Sequence, residues 1–508
     1  MRGIKIILAI GCVAGIIAYG QAQDTVKRRN FEKEFNDFKS YVGNDFQQQS
    51  QKNDSIFRTY LNARWKEFEV FTRERVKRVK PELQPLAPAT IGTIELPRPD
   101  NEPEAPVNAP VNKQTVPPAA ADSELLQGEE GLKIMELHSM ETTLGNLSYF
   151  DFLGQKVGIT QAGQEEYDKK ATTDEKKTRI IWFYEQYSKN ESWKRITLEL
   201  YLLAQVKQLN DWGYYYLLSI ASENIFHDQD EQVLFTWLSL LRNGINARIA
   251  YNKEAIFVLA SFEQPIYNAG TVTIMGQDYY LLNRKSEQIP LGLQSYEANY
   301  PGTVRPVSVS IKTLPKLAND PEIRSFIFDK DTLRIRINLS LIHFYSAYPD
   351  CNLLVYFNTP LSAQAMESLD AALKPMITGK NETERVNILL KFVQDALPYK
   401  TDLEQFGREK YFFPDEALHY PYTDCEDRAV LFAKLIYLYT GLEAIGLEYR
   451  DHVSVAVRFN EPITGAFVVF DKQKYYVCDP TYMGARAGMA MDGMKKQSPT
   501  IIIVDQYN

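Results

Sequence analysis

Three side chains near the end of the sequence carry groups that can break an amide bond together. They are the thiol of Cys425, the imidazole of His452 and the carboxylate of Asp479. In that order they supply a nucleophile, a base that takes and returns its proton, and an acid that fixes the imidazole tautomer and supports its charge. Each alone has a plainer reading. A single cysteine most often fills core space, and a strand histidine is usually a bonded structural group. The three make a site only if the elements around them bring them to one place.

The stretch DCEDRAVLFAKLIYLYTG predicts a helix of about four turns, with Asp424 as N-cap, Asp427 as the acid of a capping box and Gly441 as the stop. Cys425 then falls in the first turn, where peptide dipoles and unpaired N–H groups favour a thiolate. Glu426 and Asp427 oppose this, so the thiol needs a basic partner. In HVSVAVRF the alternation sets His452, Ser454, Ala456 and Arg458 on one strand face and Val453, Val455, Val457 and Phe459 on the other. His452 starts this strand. AFVVFDKQKYYVCDPTY turns at DKQK and returns through Tyr475 to Asp479, so neighbouring strand ends can join imidazole to carboxylate. An oxyanion hole would use the Cys425 N–H and one upstream donor, for which Tyr420, Tyr422 and Thr423 are equal choices. His419 reads as pocket lining or a rival base, and Cys478 as core, with a Cys351–Cys478 disulfide as the lesser alternative. His138, His227 and His343 lack metal-ligand spacing, and no Gly-rich phosphate loop occurs, so neither metal nor cofactor is expected.

The segments DCEDRAVLF, DHVSVAV and CDPTY, in this order, resemble the transglutaminase-like core of the papain-related cysteine enzymes. The resemblance spans residues 380–508 and is to the domain as it occurs in exported bacterial proteins. It implies Cys425, His452 and Asp479 as a catalytic triad. It also implies a cysteine peptidase, amidase or acyltransferase acting on peptide or isopeptide amides. A peptide or protein substrate follows, cell-wall peptide among the candidates. Many members place a tryptophan shortly after the histidine, where this chain has Ser454.

An internal repeat frames the site. VLFTWLSLLRNGINARIAY, ASFEQP and GQDYYLLN within 233–283 run parallel to VLFAKLIYLYTGLEAIGLEY, VRFNEP and KQKYYVCD within 430–479. Aligned on Phe235 and Phe432, Cys425 becomes Asp228, His452 becomes Glu254 or Ala255, and Asp479 becomes Asn283. The first copy keeps the scaffold pattern without the chemistry. Between the copies, VSVSI at 307–311, TLRIRINLSLI at 332–342 and NLLVYFNTP read as strands, and ERVNILLKFVQDALPY at 384–399 as a helix.

The expected fold is α+β: a C-terminal transglutaminase-like (papain-like) domain of helix plus antiparallel meander over 376–508. Before it come a degenerate copy over 122–284 and a β-rich segment over 285–375. Residues 1–22 read as a signal peptide, with Arg2 and Lys5 ahead of an apolar run shorter than the roughly 20 residues of a spanning helix. That places the protein outside the cytoplasm, in the periplasm or at the cell surface, with no membrane span left. Residues 24–80 carry aromatic stripes at helical spacing, Phe31, Phe35, Phe38 and Val42, then Phe57, Leu61, Trp65 and Phe68. Prolines crowd 81–121, an extended linker. A net charge of −8 argues against nucleic-acid binding. The odd number of cysteines after signal removal leaves at least one thiol without an internal partner. A different class of reading also fits: a binding or scaffolding protein that keeps the fold without catalysis.

Overall fold

The computed structural model describes residues 57–58, 61–62, 65–73, 147–161, 175–283, 290–296, 305–494 and 497–505. Residues 1–22, read as a signal peptide, and 81–121, read as a linker, lie outside the described residues. The chain divides into two compact units, and residues 57–58 and 61–62 are the described part of the first. They are helical, as their spacing predicts, and the Asn62 amide donates to the Arg58 carbonyl at 2.8 Å.

All further elements belong to the second unit. The helix expected to continue through Trp65 and Phe68 does not. Lys66–Glu67 (β1) and Phe71–Arg73 (β2) are strands instead. The physical reason is a change of period: Glu67, Glu69 and Phe71 are exposed, while Phe68, Val70 and Thr72 turn inward. A hairpin follows, Leu147–Phe152 (β3) and Gln155–Thr160 (β4), turning at Leu153 and Gly154 with positive φ at both. Four helices come next: Lys176–Lys189 (α1), Glu191–Val206 (α2), Asp211–Ile225 (α3) and Gln229–Arg242 (α4). Strands Ala247–Tyr251 (β5), Ile256–Ala260 (β6), Ala269–Ile274 (β7), Gln277–Leu281 (β8) and Gln294–Ser295 (β9) complete a seven-stranded sheet in the order β1-β9-β5-β6-β8-β7-β2. The single segment 65–73 therefore pairs with both ends of the sheet and curls it.

The 285–375 segment, expected to be β-rich, contains β9 and the hairpin Pro321–Phe328 (β10) and Asp331–Asn338 (β11). It also contains the helices Leu339–Ser346 (α5), Leu353–Asn358 (α6) and most of Ala363–Ile377 (α7). Asn338 ends β11 and caps α5 by accepting the Ser340 N–H, so Leu339 and Leu341 leave the expected strand. NLLVYFNTP is α6 rather than a strand. Asn352 accepts the Leu354 N–H, and Leu353, Tyr356 and Phe357 bury one helical face. Val307, Val309 and Ile311 do alternate inward, but only Val307 is bridged, to Phe262.

The last part of the unit holds Glu382–Ala396 (α8), Asp402–Phe406 (α9), Pro414–His419 (α10) and Cys425–Thr440 (α11). The strands Glu443–Glu448 (β12), Val453–Arg458 (β13), Phe467–Phe470 (β14), Gln473–Cys478 (β15) and Thr500–Ile503 (β16) form a sheet in the order β14-β15-β13-β12-β16. The architecture is α+β, helices with curled antiparallel sheets. One sheet face is filled by Leu447, Ala456, Val468, Tyr475 and Val477 with Tyr482, Met491 and Met494. On the other, Gly446 faces the Phe357 ring, and a Cβ there would stand 2.9 Å from it. No helix among the described residues is long and apolar enough to cross a membrane.

The two sheets share one plan. The run β9-β5-β6-β8-β7 matches β16-β12-β13-β15-β14 strand for strand. The register agrees as well: Tyr251↔Ile256 answers Glu448↔Val453, Leu259↔Leu281 answers Ala456↔Val477, and Thr271↔Tyr280 answers Phe467↔Tyr476. α4 and α11 each pack on the first two strands that follow them. Both stop at a left-handed glycine, Gly244 and Gly441.

Candidate active site

α11 starts where its capping residues predict. The Asp427 carboxylate accepts the Asp424 N–H at 3.1 Å and the Phe412 N–H at 3.0 Å, which fixes the first turn against the preceding loop. Cys425 stands in that turn, fully buried, with its thiol donating to Glu426 Oε2 at 2.8 Å.

His452 precedes β13 in the β12–β13 turn, where its carbonyl accepts the Tyr449 N–H at 2.8 Å. Its Nε2 lies 3.0 Å from Asp479 Oδ2, and both residues are buried. A carboxylate accepts only, so Nε2 donates to Asp479, and in the neutral imidazole Nδ1 is then the nitrogen with the lone pair. Nδ1 has no hydrogen-bond partner. The imidazole is thus held at one nitrogen and open at the other, the tautomer a general base requires. Asp479 follows the last residue of β15. Its Oδ1 accepts the Thr481 and Tyr482 N–H groups at 2.9 and 3.2 Å, which turns Oδ2 to the histidine.

Arg428, one turn into α11, ties the cysteine helix to the Asp479 turn. Its guanidinium donates to the Pro480 carbonyl at 3.3 Å, to Thr423 Oγ1 at 3.2 Å and to the Leu397 carbonyl. Burial lowers its pKa from 12.5 to about 10, while Tyr399, Asp424, Asp479 and Asp427 pull it back up. It stays a cation at neutral pH. Sequence reasoning missed this residue. The available signal was a charge three places after Cys425, directly ahead of the apolar run at 429–433.

The structure joins His452 to Asp479 and puts Cys425 on the helix that Arg428 fastens to the same turn. His419 pairs instead with Glu322 of β10, at 2.7 Å. Cys351, Cys425 and Cys478 are buried thiols, and the Cys351–Cys478 disulfide is not formed. Cys478 pairs across to Val455 in the sheet, and burial pushes its thiol pKa far up, as a core residue requires. Among the upstream residues weighed as donors, Tyr422 is exposed, Tyr420 stacks on Phe412 and Thr423 is buried. Among the described residues, acids and Cys425 rather than histidines converge closely enough to admit a cation. Asp424, Cys425 and Glu426 form one such group, Asp402, Asp424 and Asp427 a second, and Asp402, Glu409 and Glu426 a third. Several are already engaged: Asp402 accepts the Lys410 N–H, Asp427 two N–H groups and Glu426 the thiol.

The first sheet shows the same positions without the chemistry. Asp228 caps α4 and pairs with Arg179 at 2.6 Å; burial raises its pKa, but the Arg179 bond and charge and the Glu231 and Asp230 N–H groups together lower it. The Asn252 N–H meets the Ala255 carbonyl as Tyr449 meets His452, so the histidine position is Ala255, not Glu254. Asn283 stands where Asp479 does. Its amide turns sideways to β6, accepting the Val258 N–H at 2.9 Å and donating to the Ile256 carbonyl at 3.1 Å. No family model, curated protein or solved structure matches the chain.

Proposed function

We propose that the chain is an exported transglutaminase-like cysteine hydrolase or acyltransferase that acts on peptide or isopeptide amides through Cys425, His452 and Asp479. The observation that carries this reading is the buried His452–Asp479 hydrogen bond, which leaves Nδ1 open as a base. In the reaction, the Cys425 thiol leaves Glu426 and gives its proton to Nδ1. The sulfur attacks the amide carbon, and the imidazolium, supported by Asp479, returns the proton to the leaving amine. A water or a second amine then takes the acyl group from sulfur. The residues 122–284 are, on this reading, a degenerate copy whose Asp228, Ala255 and Asn283 supply no nucleophile–base pair.

The test is a substrate screen on the full-length reduced protein with peptides, peptidoglycan-stem peptides and glutamine-containing acyl donors, each with and without an added amine. Turnover abolished by Cys425→Ala supports the proposal, and turnover that survives the substitution contradicts it. One observation favours the scaffolding alternative: the thiol is fully buried and already bonded to Glu426. Under that alternative no substrate in the screen turns over, while Cys425→Ala still folds.

A further inference from the structure

We infer that Gln394 is a positioning residue for the His452–Asp479 pair, holding the turn 479–485 so that the Asp479 carboxylate faces the imidazole. The inference rests on the catalytic reading above, but its geometry stands independently of Cys425.

Gln394 lies in the last turn of α8 and is buried. Its amide nitrogen donates to the carbonyls of Asp479 at 3.1 Å, Tyr482 at 2.9 Å and Ala485 at 3.2 Å. Its amide oxygen accepts the Gly484 N–H at 3.1 Å. The orientation is unambiguous, since every neighbour of the nitrogen is a carbonyl and the neighbour of the oxygen is an N–H. One side chain thus grips both ends and the middle of the turn whose first residue bonds the histidine. Asp479 can direct Oδ2 at His452 only while Oδ1 is fastened to Thr481 and Tyr482, and those N–H groups sit in the turn that Gln394 holds.

The fold does not need this grip for its own sake. At the matching strand end of the first sheet, Asn283 satisfies itself on the backbone of β6. Nor is general anchoring of the loop the issue. On the same helix face two turns earlier, Asn387 accepts the Ala487 N–H at 2.8 Å, beyond the turn. Gln394 acts on the acid, Asn387 only on the loop that follows.

The test uses the full-length protein with 15N-labelled histidine. His452 Nε2–H, protected by its bond to Asp479, gives an imidazole proton resonance that Asp479→Ala abolishes. Gln394→Met keeps the volume and removes the amide. It is expected to lose the same resonance to solvent exchange, while Asn387→Ala retains it. Cys425 alkylation should fall on the order of a hundredfold in Gln394→Met. In an Asp479→Ala background the same substitution should change it less than about twofold, because residues acting as a unit are non-additive. If Gln394→Met does not fold, Gln394→Asn keeps the amide and shortens its reach by one methylene. Gln394→Asn is expected to lose the resonance as well. A wild-type protein without the resonance, a Gln394→Met or Gln394→Asn variant that keeps it, or a full loss of reactivity in the Asp479→Ala background would each overturn the inference. If the resonance follows Gln394 while the wild type shows no Cys425 reactivity, the enzymatic reading fails and the positioning role stands.

Discussion

Cys425 and Glu426 are adjacent in sequence and bonded side chain to side chain, an arrangement that opposes the ionisation an attacking sulfur needs. Replacing Glu426 by Gln removes the charge and keeps the shape. The rate of alkylation at pH 7 should rise by about tenfold, the effect of roughly one pKa unit, and a rate that falls or stays level would remove Glu426 from the account. Asp479→Asn should act in the other direction, cutting turnover by about a thousandfold or more by favouring the wrong imidazole tautomer. Steady-state kinetics on a substrate found in the screen checks this. The element ends at which Cys425, His452 and Asp479 stand were legible from helix-capping and strand alternation. Gln394 and Arg428 were not. Gln394 shares an inward face with Asn387 seven residues earlier, a polar pair at helical spacing in an apolar stripe. Such a pair shows its meaning only once the loop it binds is known.

α10 and α7 depend on each other through one buried carboxyl. Asp415 accepts the Ser362 N–H at 3.0 Å, and Ser362 caps α7. Burial raises the Asp415 pKa from 3.8 to about 6, against the lowering effect of those Ser362 bonds. The folded state therefore holds a proton that the unfolded chain has lost. Stability from this group is complete below pH 3.8, declines as pH rises, and is gone above about 6. Asp415→Asn removes the titration. Its stability relative to wild type should rise by up to about 3 kcal/mol between pH 4 and 6.5, read from denaturant midpoints. A difference independent of pH would contradict the raised carboxyl. The helices with strong caps, α8 and α11, were legible from sequence. α6 and the 65–73 strands were not, since short apolar runs fit either period and their burial partners lie far along the chain.

At the scale of the whole chain, the parallel between the two sheets was legible because order and spacing repeat together from Phe235 and from Phe432. The closing segment 65–73 could not be foreseen, as its partners Leu293 and Thr271 lie some two hundred residues away. Phe68 packs on the first sheet's core with Leu281 and Leu293. Phe68→Ala should cost about 2 kcal/mol and lower the melting temperature, yet leave Cys425 alkylation unchanged. A matching loss of reactivity would mean the two sheets are coupled in a way this account does not include.

The central claim, that His452 and Asp479 activate Cys425, is tested most directly by alkylation rate against pH in the reduced full-length protein. The account predicts reactivity rising well below the ordinary thiol pKa of ~8.5, with the midpoint moved up towards that value in His452→Ala. An ordinary thiol profile, or no labelling at all, unchanged by His452→Ala, would contradict it.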